Sequence, residues 1–240
     1  MSSFHVAIIM DGNRRWAKQR RFEVLRGHSQ GTNTIKEIAR HAYDVGVTHL
    51  TAFAFSSENW KRPKIEVTGL IDLMKRFLMQ DLETLISDNV KLRIIGDITA
   101  FDADLQALFI EAQAATSQNT GLNLTIAINY GGQQDIAQAM QKAAEQAMKQ
   151  NETALLQPHD VKPYLQTRDL PSLDLLIRTG GEKRLSNFLL WDCAYAELFF
   201  SDKLWPDFTT EDLDQIIREF GERDRRFGGD TMPLLAALEV

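Results

Sequence analysis

The amino-acid sequence predicts an α/β fold: a single domain in which helices cover a central, mostly parallel sheet of six strands. Three observations lead to this prediction. Apolar runs recur along the chain, helical patterns lie between them, and most runs are apolar at consecutive positions, as strands buried on both faces must be. Strands that alternate with helices in this way form right-handed βαβ units within one sheet.

Six segments are predicted as strands. Each is short, apolar and rich in β-branched, leucine or aromatic residues. In chain order they are HVAIIM (5–10), HLTAFAF (49–55), VKLRIIG (90–96), LNLTIAINY (122–130), LDLLIRT (173–179) and the shorter AELFF (196–200).

Helices are predicted between these strands. Apolar residues recur at helical spacing over 35–42 and 213–220, and Thr209 is a typical N-cap for the second of these helices. The stretch 65–89 is apolar over a wide face, and 133–150 is rich in strong helix formers. The loop after the first strand is predicted to open a further helix.

Length and charge limit what this chain can be. Its 240 residues suit one large α/β domain, and we assign the whole of 1–240 to it. The net charge of -6 disfavours general attraction to nucleic acid or anionic lipid, so any anion site must be a local concentration of cations. The single cysteine, Cys193, lies among apolar residues, which predicts a buried, unreactive thiol rather than a nucleophile.

The sequence also bears on location. Its first residues lack the basic region and cleavage site of a signal peptide, and no run approaches the ~20 apolar residues that span a bilayer. A lone cysteine, which allows no intrachain disulfide, fits a reducing compartment. We therefore expect a soluble, cytoplasmic protein.

Residues able to do chemistry follow three of the predicted strands. DGNRRW (11–16) follows the first strand, SSENWKRP (56–63) the second and RTGGEKRLSN (178–187) the fifth. Because ligands of open α/β sheets bind beyond the carboxyl ends of the strands, these loops are expected to meet at one edge of the sheet. The first strand thus delivers Asp11 to a cleft.

Two groups of cations lie in these loops of an otherwise acidic chain. The first lies within 14–26, and the second includes Arg178 and Arg184. Arginine forks match phosphate oxygens, so two groups predict two bound anionic groups. Asp11 is then a candidate Mg²⁺ ligand, and Glu197 a second one, because Mg²⁺ binds one or two carboxylates together with phosphate oxygens.

Taken alone, each feature has an ordinary structural explanation. Asp11 could cap a helix, the basic run 14–26 could be a solvated helix face, Trp60 could belong to the core, and His28 could be a turn residue at a helix start. Their joint placement at strand ends favours a site. The nucleotide-binding and zinc-binding motifs are absent from the sequence.

Longer motifs resemble the cis-prenyltransferase family, most closely its bacterial undecaprenyl diphosphate synthases. The similarity runs in order from His5 to Gly229, nearly the whole chain. The matching stretches are HVAIIMDGNRRWAK, GHSQG, FAFSSENWKRP, LRIIGD, NYGG, LLIRTGGEKRLSNFLLWDCAYAELFFSDKLWPDF and RDRRFGG.

The resemblance implies a Mg²⁺-dependent prenyltransferase. Such an enzyme condenses isopentenyl diphosphate with an allylic diphosphate, here expected to be farnesyl diphosphate, into a long-chain Z-polyprenyl diphosphate. The expected product is undecaprenyl diphosphate, the carrier-lipid precursor for peptidoglycan and cell-wall synthesis. The resemblance further implies a cytoplasmic homodimer, transient peripheral membrane contact during product release and no nucleic-acid partner.

The resemblance also assigns roles to individual residues. Asp11 and Asn59 are expected to be catalytic, with Asn59 near the departing proton or orienting diphosphate or water, and Asp11 and Glu197 are expected to hold the metal. The expected substrate-binding residues are Gly12, Asn13, Arg14, Arg15, Trp16, His28, Ser56, Ser57, Glu58, Trp60, Arg62, Arg178, Arg184, Leu185, Ser186 and Arg226.

Within that set the resemblance separates two subsites. Gly12 to Arg15 and His28 are expected to hold the allylic diphosphate, whereas Arg178, Arg184 and Ser186 are expected to hold isopentenyl diphosphate. Arg226, in the C-terminal R-x-G motif, is expected to complete the site of a partner subunit. The growing chain needs a hydrophobic tunnel, expected along 65–89 and the fourth strand with Leu122 at its end, although such residues also suit an ordinary core.

Two positions depart from the family pattern. Arg14 stands where the bacterial long-chain type usually has Gly, and Val24 stands where the family usually has Arg. We hypothesise that Arg14 compensates for Val24, in which case Arg14→Gly should raise the KM of the allylic substrate. Two alternatives stay open: a short-chain Z-prenyl diphosphate synthase, and a non-catalytic lipid-binding partner subunit, which would be expected to lack Asp11 or Arg184.

Overall fold

The computed structural model describes residues 3–150 and 155–223, and it confirms the predicted α/β fold. Six strands form one sheet in the order β3-β4-β2-β1-β5-β6, and every pair is parallel. The strands are β1 (His5–Ile9), β2 (His49–Ser56), β3 (Lys91–Ile95), β4 (Asn123–Tyr130), β5 (Leu175–Arg178) and β6 (Glu197–Phe200). All six predicted strands are therefore present, with ends that differ by a few residues at most.

Seven helices accompany the sheet within the described ranges. They are α1 (Asn13–Gln19), α2 (Val24–Asp44), α3 (Lys64–Ser87), α4 (Ala103–Ala115), α5 (Gly132–Lys149), α6 (Pro158–Val161) and α7 (Thr210–Gly221). Thr209 caps α7 as predicted, since its side chain accepts a hydrogen bond from the Asp212 backbone N–H. The sequence analysis did not predict α4.

The sheet has a hydrophobic core on each face, because successive strand residues point to opposite sides. In β1, Val6 and Ile8 belong to the larger hydrophobic core, and Ala7 and Ile9 belong to the smaller one on the other face. The larger core is closed by residues of α2, α3, α4 and α7. A third cluster packs α5 against α6 and Leu165.

The strand order places a switch point beside β1. The chain runs from β1 to β2 on one side, and returns later to place β5 on the other side. Open α/β sheets bind ligands at such a point, beyond the carboxyl ends of the strands. The loops after β1, β2 and β5 therefore meet at one edge of the sheet.

No helix in the part of the chain that the structure describes is long and apolar enough to cross a bilayer.

Candidate active site

An ion pair between Asp11 and Arg178 lies at the centre of this edge. Ile9 pairs with Arg178 in the β1–β5 register, which brings the residues following β1 next to Arg178. Arg178 Nη2 donates to Asp11 Oδ2 at 2.8 Å, and Arg15 Nη2 lies 3.2 Å from Asp11 Oδ1. The Arg178 side chain is almost fully buried, so its charge needs the carboxylate partner. Asp11 therefore acts within a charged cluster and does not cap α1, whose N-cap is Gly12.

Arg178 also fixes the loop that follows β5. Its Nη1 donates to the Arg184 carbonyl oxygen at 2.6 Å and to Ser186 Oγ at 2.7 Å. The guanidinium of Arg184 itself is exposed and pairs with Glu182. One buried arginine thus holds the backbone from which a second, exposed arginine reaches the surface of the cleft.

Two polar cavities open on either side of Asp11. The first has a volume of about 400 Å³ and is strongly cationic; it is lined by Met10, Asp11, Gly12, Asn13, Arg14, Arg15, Lys18, His28 and Arg62. The second has a volume of about 570 Å³ and includes residues from the loops after β1, β2 and β5, among them Asp11, Ser56, Glu58, Asn59, Arg62, Arg178, Arg184 and Ser186. Asp11 and Arg184 therefore face the same cavity, as the sequence predicted.

Gly12 is a position where only glycine fits. Its φ is 120°, in the left-handed half of conformational space, and a Cβ there would lie 2.9 Å from the Cα of Leu204. The chain turns sharply at this point and enters α1, which puts Arg14, Arg15 and Lys18 around the first cavity.

A buried carboxylate, Glu66, organises the cations between the two cavities. Its Oε1 accepts a hydrogen bond from Arg62 Nη1 at 3.1 Å, and its Oε2 lies 3.6 Å from Arg14 Nε. His28 Nε2 approaches Glu66 at 3.5 Å and has no hydrogen-bond partner among the described residues. Burial, aided by the charge of Arg62, lowers the pKa of His28 to about 4, so the imidazole is neutral near pH 7.

An apolar cavity begins where the two polar ones meet. It has a volume of about 120 Å³ and lies between α2, α3 and the sheet, with Met10, Asn13 and His28 in common with both polar cavities. A second apolar cavity of about 40 Å³ lies farther along and shares Ile35, Phe77 and Ile126 with the first. Leu122 lines neither cavity.

The 3₁₀ turn Ser57–Lys61, here the 57–61 turn, follows β2 and carries Asn59. Asn59 Oδ1 accepts a hydrogen bond from the Ser56 backbone N–H at 3.1 Å, which closes the turn. The Trp60 indole donates to Asn129 Oδ1 at 2.9 Å, and Asn187 Nδ2 donates to Glu58 Oε1 at 3.3 Å. Two asparagines, one near the end of β4 and one in the loop after β5, therefore hold the turn from either end.

Four expected substrate-binding residues do not line these cavities. Trp16 packs on Phe22 and donates its indole N–H to Asp207 at 2.6 Å, and Trp60 packs against Phe101. Leu185 packs against the smaller hydrophobic core, and the Ser57 hydroxyl is buried without a partner in the described part of the chain. Trp16, Trp60 and Leu185 therefore contribute to the packing around the site rather than to the surface of its cavities. Arg226 lies outside the described residues.

Glu197 is not brought to Asp11 within one chain. It begins β6 and pairs in register with Leu175, whereas Asp11 lies beyond the opposite, carboxyl end of the neighbouring strands. Three residue steps at about 3.3 Å separate the levels of Leu175 and Arg178. Glu197 instead forms an ion pair with Arg223 at 2.8 Å. The expected role of Glu197 as a second metal ligand therefore stays a prediction.

Sequence reasoning missed several residues that shape the site. Phe53 and Asn187 line the larger polar cavity, and Asn129 holds Trp60. The letters NYGG and RLSN were part of the recognised motifs, so the signal was present. What the sequence does not reveal is the left-handed backbone of Asn129 and Asn187, with φ of 48° and 64°.

Cys193 is half-buried, and burial together with Asp192 raises the pKa of its thiol to about 12. The thiol is thus poorly ionised at neutral pH, as an unreactive cysteine should be.

No group of three or more His, Cys, Asp or Glu residues in the described ranges could hold a metal ion by itself.

Comparisons with known proteins agree with this geometry. Residues 9–228 match the Prenyltransf family model, described as "Putative undecaprenyl diphosphate synthase". The chain is 48% identical over 227 residues to a farnesyl-diphosphate-specific ditrans,polycis-undecaprenyl-diphosphate synthase of Micrococcus luteus, covering 94% of this chain and 91% of that protein.

Two solved structures share the fold. One is lavandulyl diphosphate synthase from Lavandula x intermedia in complex with dimethylallyl diphosphate, with a TM-score of 0.89, 36% identity, and coverage of 93% of this chain and 97% of that one. The other is a probable undecaprenyl diphosphate synthase from Campylobacter jejuni, with a TM-score of 0.78, 34% identity, and coverage of 95% and 99%. Family match, sequence identity and fold agree, and this chain therefore belongs to the undecaprenyl diphosphate synthase family of prenyltransferases.

Proposed function

We propose that this protein condenses isopentenyl diphosphate onto farnesyl diphosphate, with successive Z additions that yield a long-chain polyprenyl diphosphate, undecaprenyl diphosphate. The observation that carries this proposal is the meeting of two polar cavities with one apolar cavity at Met10, Asn13 and His28. Two diphosphates need two cationic compartments, and a growing hydrocarbon needs a dry one that begins at the reacting carbon.

Each polar cavity suits one diphosphate. The first, with Arg14, Arg15 and Lys18, is the proposed allylic subsite, and it opens directly into the apolar cavity that takes the chain. The second, with Arg178, Arg184 and Ser186, is the proposed isopentenyl subsite. Arginines that point at a leaving diphosphate stabilise the charge that develops as the carbon–oxygen bond breaks. The isopentenyl double bond then attacks the allylic carbon as diphosphate departs, and loss of a proton from the adjacent methylene group forms the new Z double bond.

Asn59 lies in the wall of the proposed isopentenyl subsite. Its Oδ1 is already engaged by the Ser56 N–H. An amide is a poor base, so we assign Asn59 the orientation of diphosphate or of a water that takes up the proton, rather than proton abstraction itself.

Mg²⁺ is the proposed cofactor, with Asp11 as its protein ligand. Asp11 is partly exposed, borders both polar cavities and is the one carboxylate common to them in the described chain, so diphosphate oxygens could complete the coordination. When bound, the ion would neutralise diphosphate charge and make it a better leaving group. The neutral His28 beside it adds no competing positive charge.

Arg14 stays a proposed substitute for the arginine missing at Val24. Its guanidinium borders the first polar cavity while its Nε stays near Glu66, and Val24 begins α2 without lining the cavity. This arrangement supports a contact between Arg14 and the allylic diphosphate.

A short-chain product is a second candidate. The apolar cavity holds about 120 Å³, and cavities of about 150 Å³ accept a molecule of benzene size. A lavandulyl diphosphate synthase, which was crystallised with dimethylallyl diphosphate, has the same fold. The third reading, a non-catalytic subunit, is disfavoured because Asp11, Arg178, Arg184 and Ser186 are all gathered in one site.

The remaining proposals concern assembly and place in the cell. We propose a homodimer, because β6 is an edge strand and Tyr195 and Leu198 beside it are exposed; light scattering that gave the monomer mass would refute this. A cytoplasmic site of action, a role in supplying carrier lipid for peptidoglycan and brief membrane contact at product release follow from the proposed product.

The decisive experiment incubates the protein with farnesyl diphosphate, labelled isopentenyl diphosphate and Mg²⁺, and sizes the products. We expect a ladder that ends in long chains. Asp11→Asn keeps the size of the side chain and removes the charge, and it should reduce the rate by at least about a hundredfold. Asp44→Asn, at the exposed end of α2, is the matched control, and its rate should stay near that of the unchanged protein.

Absence of any extended product would refute the proposed function. A product longer by only one or two units would instead favour the short-chain candidate.

A further inference from the structure

Asn187 lies between two segments that the proposed function treats separately. It directly follows Ser186, and its left-handed backbone turns the chain towards α5. Its carbonyl oxygen accepts from the Gly132 N–H at 2.6 Å, and its Oδ1 accepts from the Gln133 N–H at 2.8 Å. Asn187 therefore satisfies two of the free amides at the start of α5.

The same side chain reaches a third segment. Its Nδ2 donates to Glu58 Oε1 in the 57–61 turn at 3.3 Å and to Gln134 Oε1 at 3.1 Å. A single amide thus joins the loop that carries Arg184 and Ser186, the first turn of α5 and the turn that carries Asn59.

The backbone around Asn187 is strained. Ser186, Asn187 and Leu189 all have positive φ, at 50°, 64° and 43°, and only asparagine among them adopts this region readily. Phe188, between them, is fully buried and stacks on Phe53 with ring centroids 4.3 Å apart. A strained conformation persists when its surroundings over-determine it, and here Phe188 and the Asn187 hydrogen bonds do so.

The other end of the 57–61 turn is held in a similar way. Trp60 donates to Asn129, whose backbone is also left-handed and whose Nδ2 donates to the Asp97 carbonyl at 2.8 Å. No residue of the turn is fully buried. The two asparagines therefore hold the turn together with the packing of the Trp60 ring on Phe55 and Phe101.

We propose that Asn187 is a positioning residue that couples the Arg184–Ser186 loop to the 57–61 turn, so that occupation of one sets the position of the other. When a diphosphate engages Arg184 and Ser186, the adjacent Asn187 holds Glu58, and with it Asn59, against the same substrate. The inference rests on the proposed function, because it takes both segments to face isopentenyl diphosphate.

Asn187→Asp separates coupling from simple capping. A carboxylate at this position still accepts from the Gln133 N–H and is favoured at a helix start, so a residue that only capped α5 would tolerate the change. The Gln134 amide can turn to donate to it. Glu58 cannot: although burial raises its pKa, hydrogen bonds from its own backbone and from Asn187 bring that pKa below its ordinary value, so it stays charged and repels Asp.

We expect Asn187→Asp to lower kcat about tenfold, with less than about a twofold change in the KM of the allylic substrate. The double variant Asn187→Asp with Glu58→Gln restores a donor–acceptor pair, and it should recover most of the lost kcat. Full activity of the Asn187→Asp variant, or failure of the double variant to recover, would overturn the coupling.

Asn187→Gly removes the side chain and keeps the backbone conformation, and Asn89→Gly is its matched control. Asn89 is also left-handed, and its side chain makes two hydrogen bonds, both to Thr120, at the opposite end of the sheet. We expect Asn187→Gly to speed amide hydrogen exchange at least about tenfold in residues 56–62, and Asn89→Gly to leave that segment unchanged.

Hydrogen exchange needs no substrate, so it tests the coupling apart from the reaction. Unchanged exchange at 56–62 in Asn187→Gly would overturn the inference even if the enzyme were active. If the unchanged protein catalysed no condensation, the proposed function would be refuted. The hydrogen-exchange result would still decide whether Asn187 holds the 57–61 turn.

Discussion

His28 is a buried histidine whose side chain is uncharged although charged residues surround it. Burial is the main cause of its lowered pKa, the charge of Arg62 adds to it, and the contact with Glu66 only partly opposes it. Protonation would place a third cation beside Arg14 and Arg62. A neutral imidazole can instead offer a donor or an acceptor to a ligand oxygen without adding charge.

This lowered pKa predicts how stability depends on pH. The unfolded chain binds a proton at His28 below about pH 6.5, but the folded chain binds it only near pH 4, so the free energy of unfolding falls as pH drops through that window. The shift corresponds to about 3 kcal/mol at most. Urea unfolding of His28→Gln between about pH 7.5 and pH 5 should show a shallower decline than the unchanged protein.

Two other residues make this experiment specific. His159 is exposed, and His159→Gln is the matched control. Asp192 works in the opposite sense, because burial raises its pKa to about 6, so the stability it contributes is present at low pH and is lost as pH rises through 6. An unaltered slope in His28→Gln would show that His28 does not titrate as its surroundings require.

At the residue scale, the sequence predicted which residues form the site better than it predicted their backbone conformations. Asp11, Arg178, Arg184 and Ser186 were predicted from their positions after strands, and the structure places them in one cavity. The roles of Asn129 and Asn187 could not be predicted, because their importance lies in backbone angles that tertiary contacts impose. The separation of Glu197 from Asp11 within one chain could not be predicted either, because it depends on strand direction and register.

At the scale of elements, the approach of α1 to α2 depends on two glycines one turn apart. A Cβ on Gly27 would lie 2.2 Å from the Asn13 carbonyl oxygen, and a Cβ on Gly31 would lie 2.3 Å from Asn13 Oδ1 and 2.8 Å from Trp205 Cδ1. All three distances are well below van der Waals contact. The glycines therefore let α1 sit close enough for Asn13 to face the cavities.

Gly31→Ala should therefore disturb the site through packing alone. The added methyl group must push Asn13 or Trp205 aside, and overpacking of this kind costs about 1–3 kcal/mol. We expect a lower midpoint of thermal unfolding and at least about a tenfold rise in the KM of the allylic substrate. A KM equal to that of the unchanged protein, with the same unfolding midpoint, would show that α1 can yield at this contact without consequence.

Elements were predictable wherever periodicity and burial agreed. The six strands were predicted from apolar runs, and the helices α2, α3 and α7 from apolar patterns within them. Helix α5 was predicted from its strong helix formers. The helix α4 was missed, although Asp102 caps it by accepting from the Leu105 N–H. Its apolar residues do not fall on one narrow face, since Leu105 and Phe109 are buried and Ile110 is exposed, so spacing alone gave little signal.

At the scale of the whole molecule, a chain with net charge -6 gathers its cations where three loops meet. Screening confines each charge to its surroundings, so local concentration rather than net charge decides what binds. The sequence predicted this gathering because parallel strands share one carboxyl edge. It could not predict the cavities, because their volumes depend on how α2 and α3 pack over the sheet.

The packing of α2 against α3 limits product length, because it sets the size of the two apolar cavities. Together they are far too small for a long polyprenyl chain, and Ile35, Phe77 and Ile126 stand between them. The ion pairs Lys36–Asp81, at 2.6 Å, and Arg40–Asp88, at 2.8 Å, tie α2 to α3 beside the distal cavity. A growing chain must therefore displace Phe77 and widen this seam.

Phe77 is the test of that limit. Phe77→Trp adds volume at the constriction, so the product distribution should shift to chains shorter by at least one isoprene unit. Phe77→Ala joins the two cavities, and its products should be as long as those of the unchanged protein or longer. The matched control is Met79→Ala, because Met79 is exposed on the same helix and lines neither cavity. Identical distributions for Trp, Phe and Ala at position 77 would place the limit elsewhere, and sizing the products by thin-layer chromatography decides between these outcomes.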